Sequence, residues 1–389
     1  MFGRRAVLCL ILFGLSLALQ VLLFGHGFTN QPLNSVSPDS GDALDYARLG
    51  EQLAAGESFR ALFGDGYRLP GYPLFLALFM AVFPEPLLAV RVAQAVLCAA
   101  VPAVALFTLP GLAGIVAAGL VALWVPFHYF STLLLAESCS LLVLSLFVGA
   151  LLGEGASRTW GRSVTVAVLL ALLVYLKPNH LLLLLPCAVV LLYQRPLRPA
   201  ARTLAWCAGI LVALILPWSI FISREVGQFI PLSTTQGLNL YLGTPLELRA
   251  GDDATILERP QRNPAAVAVW SGELGARAAG IIREHPQESL SHGLAKALHA
   301  FGFSLRGARD IALMIFTLLV LSGSVALWRR REHRSVCLLV WSCGLVAAAQ
   351  AFFFLPNQRF KTMLFDYPAL LLCGCLGQMI WHSLRRESA

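Results

Sequence analysis

The chain predicts an all-α, polytopic membrane protein with about ten transmembrane helices and one more helix lying in the membrane plane. Three observations carry this. Of its 389 residues 58% are hydrophobic and only 13% charged, against about 25% charged in ordinary soluble proteins. The mean hydropathy is +0.73, which leaves no large soluble core domain to look for. The apolar residues also fall into long runs separated by short arginine clusters. A net charge of +8 then reflects membrane orientation, and no nucleic-acid partner is implied. All nine cysteines lie in or beside apolar runs, so no structural disulfide is implied.

The first span follows Arg4 and Arg5 and runs from Ala6 to Gly25. No small-x-small cleavage site follows it, so it reads as an uncleaved anchor. Further runs are centred on 86–108, 111–130, 133–152, 163–176, 180–193, 203–222, 308–328, 335–355 and 363–382. The run Tyr72–Phe83 is different. Bracketed by Pro70 and Pro84, it reaches only ~18 Å as a helix, against ~30 Å of hydrocarbon. Charge gives a second test. With 72–83 excluded, Arg158, Arg162, Arg195, Arg198, Arg202, Arg329–Arg331, Arg334, Arg385 and Arg386 all fall in the cytoplasm. Ten spans with both termini cytoplasmic is the expected topology, with 72–83 in the plane of the outer surface.

Three parts result. Residues 1–222 form an N-terminal membrane module with a first outer loop at 26–85. Residues 223–305 form an extracytoplasmic loop, and residues 306–389 carry the last spans. There is no 20–50-residue repeat and no low-complexity linker. The polar residues gather on the outer side, so the active face is expected to be extracytoplasmic.

In the first outer loop, Ser37-Pro-Asp39-Ser favours a turn and helix start. From Ala43 the apolar residues Leu44, Ala47, Leu49 and Leu53 fall at roughly helical spacing. A capping role is the simpler account of Asp39 or Asp45 alone. Three acids, Asp39, Asp42 and Asp45, within seven residues beside a bilayer favour a chemical role for at least one. Arg68 stands just before the in-plane helix. It can snorkel to headgroups or bind a phosphate on the same face as Asp42.

The order of these pieces resembles a known family. Asp42-x-x-x-Tyr46-x-x-Leu-Gly-x-x-Leu53 is followed by Arg68-x-Pro-Gly-Tyr72-Pro73, a short apolar helix and a second acidic turn at Glu137. This looks like the polyprenyl-phosphate-sugar-dependent glycosyltransferases of the C superfamily. Within that superfamily it is similar to the family-39-type enzymes, which include protein O-mannosyltransferases and lipid A aminoarabinose transferases. Gln236-Gly-Leu-Asn239-Leu-Tyr241-Leu-Gly and Asn357-Gln-Arg359-Phe-Lys…Pro368 resemble two later stretches of that family. The sequence departs from the pattern at Phe360, where Tyr is usual, and at Glu137, a lone acid where the family has an Asp pair.

The resemblance implies transfer of a sugar, with inversion, from a polyprenyl-phosphate donor to an extracytoplasmic acceptor: a glycolipid, a glycan or a protein. It implies a bacterial inner-membrane location. The chemistry needs a carboxylate to take the acceptor proton and cations to hold the departing phosphate. Asp42 is the expected base, with Asp39 as rival, since only one of them aligns. Glu137 would orient the acceptor or the base. Arg68 and Arg359 would contact phosphate, Tyr46 and Tyr72 belong to the same motifs, and Asn239 and Tyr241 would shape the acceptor side.

Lys177 is read from length. Helices of fourteen residues at 163–176 and 180–193 reach only ~21 Å each, placing the Lys177–His180 turn below the outer boundary. Irregular backbone there is tolerated inside protein or a wet cavity, so Lys177 would line the donor cavity. Snorkelling is the reading if those helices begin earlier. His26, His128 and His180 read as interfacial histidines, without metal-ligand spacing. No cofactor is firmly implied, and no ligand spacing supports a divalent metal. The competing class is a transporter or lipid flippase, in which repeats, interrupted helices near the midplane and charges in the bundle centre are usual. A second alternative, a non-catalytic assembly partner in an envelope complex, would not need Asp42, Arg68 and Lys177 to converge.

Overall fold

The computed structural model describes residues 2–24, 41–153, 159–249, 254–260, 263–354 and 361–387, and among them there are helices and turns but no strand. In chain order the N-terminal helices are α1 (Phe2–Phe24), α2 (Gly41–Ala54), α3 (Phe59–Phe63), α4 (Gly71–Val82), α5 (Pro86–Thr108), α6 (Gly111–Ala122), α7 (Val125–Thr132) and α8 (Glu137–Leu152). They continue as α9 (Thr159–Leu176), α10 (Leu184–Gln194), α11 (Leu197–Val226), α12 (Gln236–Leu242), α13 (Pro264–Glu284) and α14 (Pro286–Ala300). The last three are α15 (Ala308–Trp328), α16 (Arg334–Phe353) and α17 (Tyr367–Glu387).

Six of the described helices are long and apolar enough to cross a bilayer, or seven if α6 and α7 are joined across their 46° bend. Large apolar side chains stand exposed on them, among them Leu10 at 73%, Val212 at 59% and Val325 at 65%. Such a surface is stable against lipid and not against water. The chain is an integral membrane protein.

Length alone does not support ten crossings. The run expected at 111–130 breaks at Leu123–Trp124 because Pro126, in the first turn of α7, cannot continue a preceding helix. The run expected from 133 becomes helical only at Glu137, and α8 has 16 residues. Conversely, α9 begins at Thr159 rather than 163 and has 18 residues. That removes part of the depth argument for Lys177. The run at 203–222 extends to a 30-residue α11. The short run at 72–83 forms the 12-residue α4, bounded by Pro70 and Phe83.

The bundle closes on small residues. A side-chain carbon on Gly374 of α17 would lie 2.4 Å from the Ala113 carbonyl oxygen of α6. Ala113, Gly114, Ala117 and Ala118 are buried there, and their small side chains let the two helices approach closely. Helices α2–α4 and α12–α14 gather at one end, joined where Thr234 Oγ1 donates to the Asp65 carbonyl (2.9 Å) and Thr234 N to that of Gly66 (3.0 Å).

Candidate functional site

Arg68 lies at the centre of this end. Its Nη2 donates to Asp42 Oδ1 at 2.6 Å and to Asp45 Oδ2 at 2.9 Å, and Nε reaches the same Asp45 oxygen at 3.3 Å. The two acids are three residues apart in the first turns of α2, so they share a helix face. The Arg68 guanidinium also lies 5.0 Å from the ring centres of both Tyr46 and Tyr67, in cation–π contact. Burial acts to lower the Arg68 pKa, but Tyr46, Asp42, Tyr67 and Asp45 outweigh it and the group is held firmly charged. Arg259, from the segment between α12 and α13, stacks on Tyr67 at 4.3 Å. Nearby, burial raises the Asp65 pKa, offset in part by its hydrogen bond from Tyr67 N and by Arg259.

The buried face of α2 matches the expected one except at Leu44. Ala43, Tyr46, Ala47 and Gly50 are buried, while Leu44 is 46% exposed. Helix α2 packs on α4 through small residues and one tyrosine. Of the expected apolar positions, Ala47 is buried and Leu49 and Leu53 pack beside Phe63 and Leu69, while Leu44 alone faces outward.

Tyr46 passes the contact inward. Its ring meets that of Tyr72 edge-on, at 5.1 Å, and both pack in one cluster with Ala136 and Cys139, which flank Glu137. Glu137 is fully buried, and its Oε1 is 2.5 Å from Lys177 Nζ. Gly71 explains how α4 comes so close: a side-chain carbon there would lie 2.6 Å from the Tyr175 carbonyl oxygen. Only glycine lets the Arg68 arm lie against the end of α9, two residues before Lys177. Asp42, Arg68, Tyr46, Tyr72, Glu137 and Lys177 thus form one contiguous group. Both cations face carboxylates, a pairing that the sequence reading of Arg68 and Lys177 as phosphate ligands did not contain.

Tyr241 belongs to a neighbouring apolar cluster against which Tyr67 packs. Tyr241 is 1% exposed in the apolar packing of α12 on α13 with Leu238, Val267 and Trp270, while Asn239 is exposed on α12. Asp39, Arg359 and His26 lie outside the described residues. His128 and His180 are buried, with ring nitrogens 2.8 and 2.9 Å from the Ala122 and Leu173 carbonyls. No group of three or more His, Cys, Asp or Glu among the described residues could hold a metal.

Sequence reasoning gave no site role to Tyr67, Gln94 or Arg259, and weighed Asp45 mainly as a cap. The three-residue spacing of Asp42 and Asp45 was a usable signal for a shared face. Arg259 had none, since it reaches Tyr67 across almost two hundred residues of chain.

No protein-family model matches this chain, and no curated protein does. Solved structures do. The archaeal oligosaccharyltransferase AglB from Archaeoglobus fulgidus, solved with an inhibitory peptide and a dolichol-phosphate, aligns over 99% of this chain and 52% of its own, with TM-score 0.52 and 14% identity. The apo oligosaccharyltransferase of the same organism gives TM-score 0.54 at 13% identity, with the same coverages. ArnT from Cupriavidus metallidurans, bound to undecaprenyl phosphate, aligns over 97% of this chain and 78% of its own, with TM-score 0.42 and 15% identity. The chain spans about half the length of the oligosaccharyltransferase chains. At such identities the likeness is one of fold: the chain shares the fold of the aligned half of the archaeal oligosaccharyltransferases.

Proposed function

We propose that the protein is an integral-membrane glycosyltransferase that moves a sugar from a polyprenyl-phosphate donor to an extracytoplasmic acceptor, with inversion. The observation that carries this reading is the joining of two carboxylate–cation pairs, Asp42–Arg68 and Glu137–Lys177, through Tyr46 and Tyr72 in one cluster. The fold shared with the oligosaccharyltransferases, one of them solved with a dolichol-phosphate, supports a lipid-phosphate donor.

In the proposed reaction Asp42 takes the acceptor proton as the acceptor oxygen attacks the anomeric carbon. The bond from that carbon to the phosphate oxygen breaks, and the departing phosphate takes over Arg68 from the acids. In this reading Arg259 and Lys177 add charge to the same phosphate, Arg359 is a further contact, and Asn239 serves the acceptor side. The test is donor turnover by Asp42→Asn, measured in membranes that contain the acceptor with a labelled prenyl-phosphate sugar. Loss of a general base costs ~10²–10⁴-fold in rate, and Asp39→Asn and Asp45→Asn should cost less. A fully active Asp42→Asn variant would remove the assignment.

One observation favours a transporter. At the head of the last span Lys361 and Asp366 form a buried pair at 2.6 Å, exposed by 1% and 0%, across a π-helical turn (Thr362–Asp366). Charges buried within a span commonly mark ion or substrate pathways. Movement of intact prenyl-phosphate sugar across vesicles, without cleavage, would select that reading.

A further inference from the structure

The last turns of α11 build a second site, away from the acids and cations described above. Along this helix Arg202 and Arg224 stand ~33 Å apart at 1.5 Å per residue, close to the ~30 Å of a bilayer's hydrocarbon core. No charged residue lies between them. Arg224 therefore sits at the depth of the lipid phosphates.

Beside it is a shallow, open groove lined by Leu216, Ile220, Arg224, Gln228 and Phe229 among others. Its far wall is the turn that follows α11, and serines fasten that wall to the helix. Ser223 Oγ accepts from Ile230 N at 2.9 Å and donates to the Ile230 carbonyl at 3.3 Å. Ser219 Oγ donates to the Pro231 carbonyl. The lining hydroxyls are thus used in building the groove. Phe229 is 78% exposed at its edge, a poor arrangement in water and a good one against an acyl chain. The neighbouring acid Glu225 is committed to Arg60 at 2.6 Å, so Arg224 gives the groove its positive charge.

We propose that this groove holds one acidic phospholipid of the surrounding leaflet, its phosphate on Arg224 and one acyl chain along Leu216 and Ile220. A lipid with net negative charge is favoured over a zwitterionic one because no ammonium in its headgroup competes with the guanidinium. The same turn continues to Ser233–Thr235 and is bonded there to the Asp65–Tyr67 loop. A filled groove therefore braces the strap that holds the residue preceding Arg68.

The test is native mass spectrometry of the full chain with added phosphatidylglycerol or phosphatidylcholine, a readout independent of any enzymatic activity. A basic residue near the membrane surface contributes ~1 kcal/mol, so the wild type should retain phosphatidylglycerol about fivefold more than phosphatidylcholine. Arg224→Gln should abolish that preference, Arg224→Lys should keep most of it, and Phe229→Ala should lower retention of both lipids. Arg283→Gln, at an exposed position on α13, should change nothing. The proposal is overturned by an undiminished preference in Arg224→Gln, or by equal losses in Arg224→Gln and Arg283→Gln. It is also overturned if millimolar inorganic phosphate displaces the bound lipid, which would assign the site to the ion alone.

Discussion

Gln94 couples Tyr72 to the backbone that leads into Glu137. The Tyr72 hydroxyl donates to Gln94 Oε1 at 2.6 Å, and Gln94 Nε2 donates to the Ser131 and Leu133 carbonyls, both at 2.8 Å. The amide is fully buried, and it supplies the partners that helix would otherwise give to this irregular stretch.

Gln94→Leu should therefore strand a hydroxyl and two carbonyls, each unsatisfied group costing ~1–3 kcal/mol. Gln94→Glu keeps the acceptor for Tyr72 but loses both donations, and should be nearly as unstable. Tyr72→Phe removes one bond and should cost ~1 kcal/mol. Thermal unfolding of the four proteins checks the order. Equal midpoints for Gln94→Leu and wild type would show that the amide does not hold this turn.

At Arg68 the comparison of Lys with Ala separates a ligand from a membrane anchor. Arginine bridges two carboxylates and lies against two tyrosines, which a single ammonium cannot do. Arg68→Ala should be nearly inactive in donor turnover and Arg68→Lys clearly impaired. A headgroup anchor would accept lysine with little change, so wild-type turnover in Arg68→Lys would return the residue to that role.

Lys296 of α14 sets a pH dependence. It is 5% exposed and donates to the carbonyls of Gly243 and, at 3.0 Å, Phe354, the C-terminal caps of α12 and α16. Burial, with Arg249 adding to it, brings its pKa down to about 8 from 10.5. Between those values the folded protein binds fewer protons than the unfolded chain, so stability should rise with pH across that window. Lys296→Met should lack this increment. Unfolding midpoints for both proteins from pH 7 to 10 decide it: a wild type that falls relative to Lys296→Met refutes the assignment.

The sidedness expected from the arginine clusters is open to direct labelling. In a cysteine-free background, Glu57→Cys should react with an impermeant maleimide in intact cells, and Arg331→Cys only after permeabilisation. External labelling of the second position would invert the expected topology and move the candidate site to the cytoplasm.

The helical class and the approximate place of each long segment were legible because hydrophobic run length is a strong, local signal. The interruption at Leu123–Trp124 has a local signal in Pro126, whereas that at Leu133–Ala136 lies in apolar sequence without one. Side chains more than thirty residues away, Gln94 and Arg91, hold the second of them. Asp42, Arg68, Glu137 and Lys177 could be picked out one by one from motif and spacing. Their pairing could not, because it depends on Gly71 letting α4 lie against α9. Tyr241 went the other way: a motif tyrosine turned out to fill the α12–α13 packing.

In the resting cluster Arg68 answers two carboxylates, Lys177 answers one, and Arg259 lies beside Asp65. Such a site projects little positive field, so it would not draw an anionic headgroup from a distance. On the proposed function the donor must instead be delivered by lateral diffusion within the leaflet, its phosphate trading places with Asp42 only on arrival. Capture of the donor should then be governed by its concentration in the bilayer and be almost indifferent to the ionic strength of the medium.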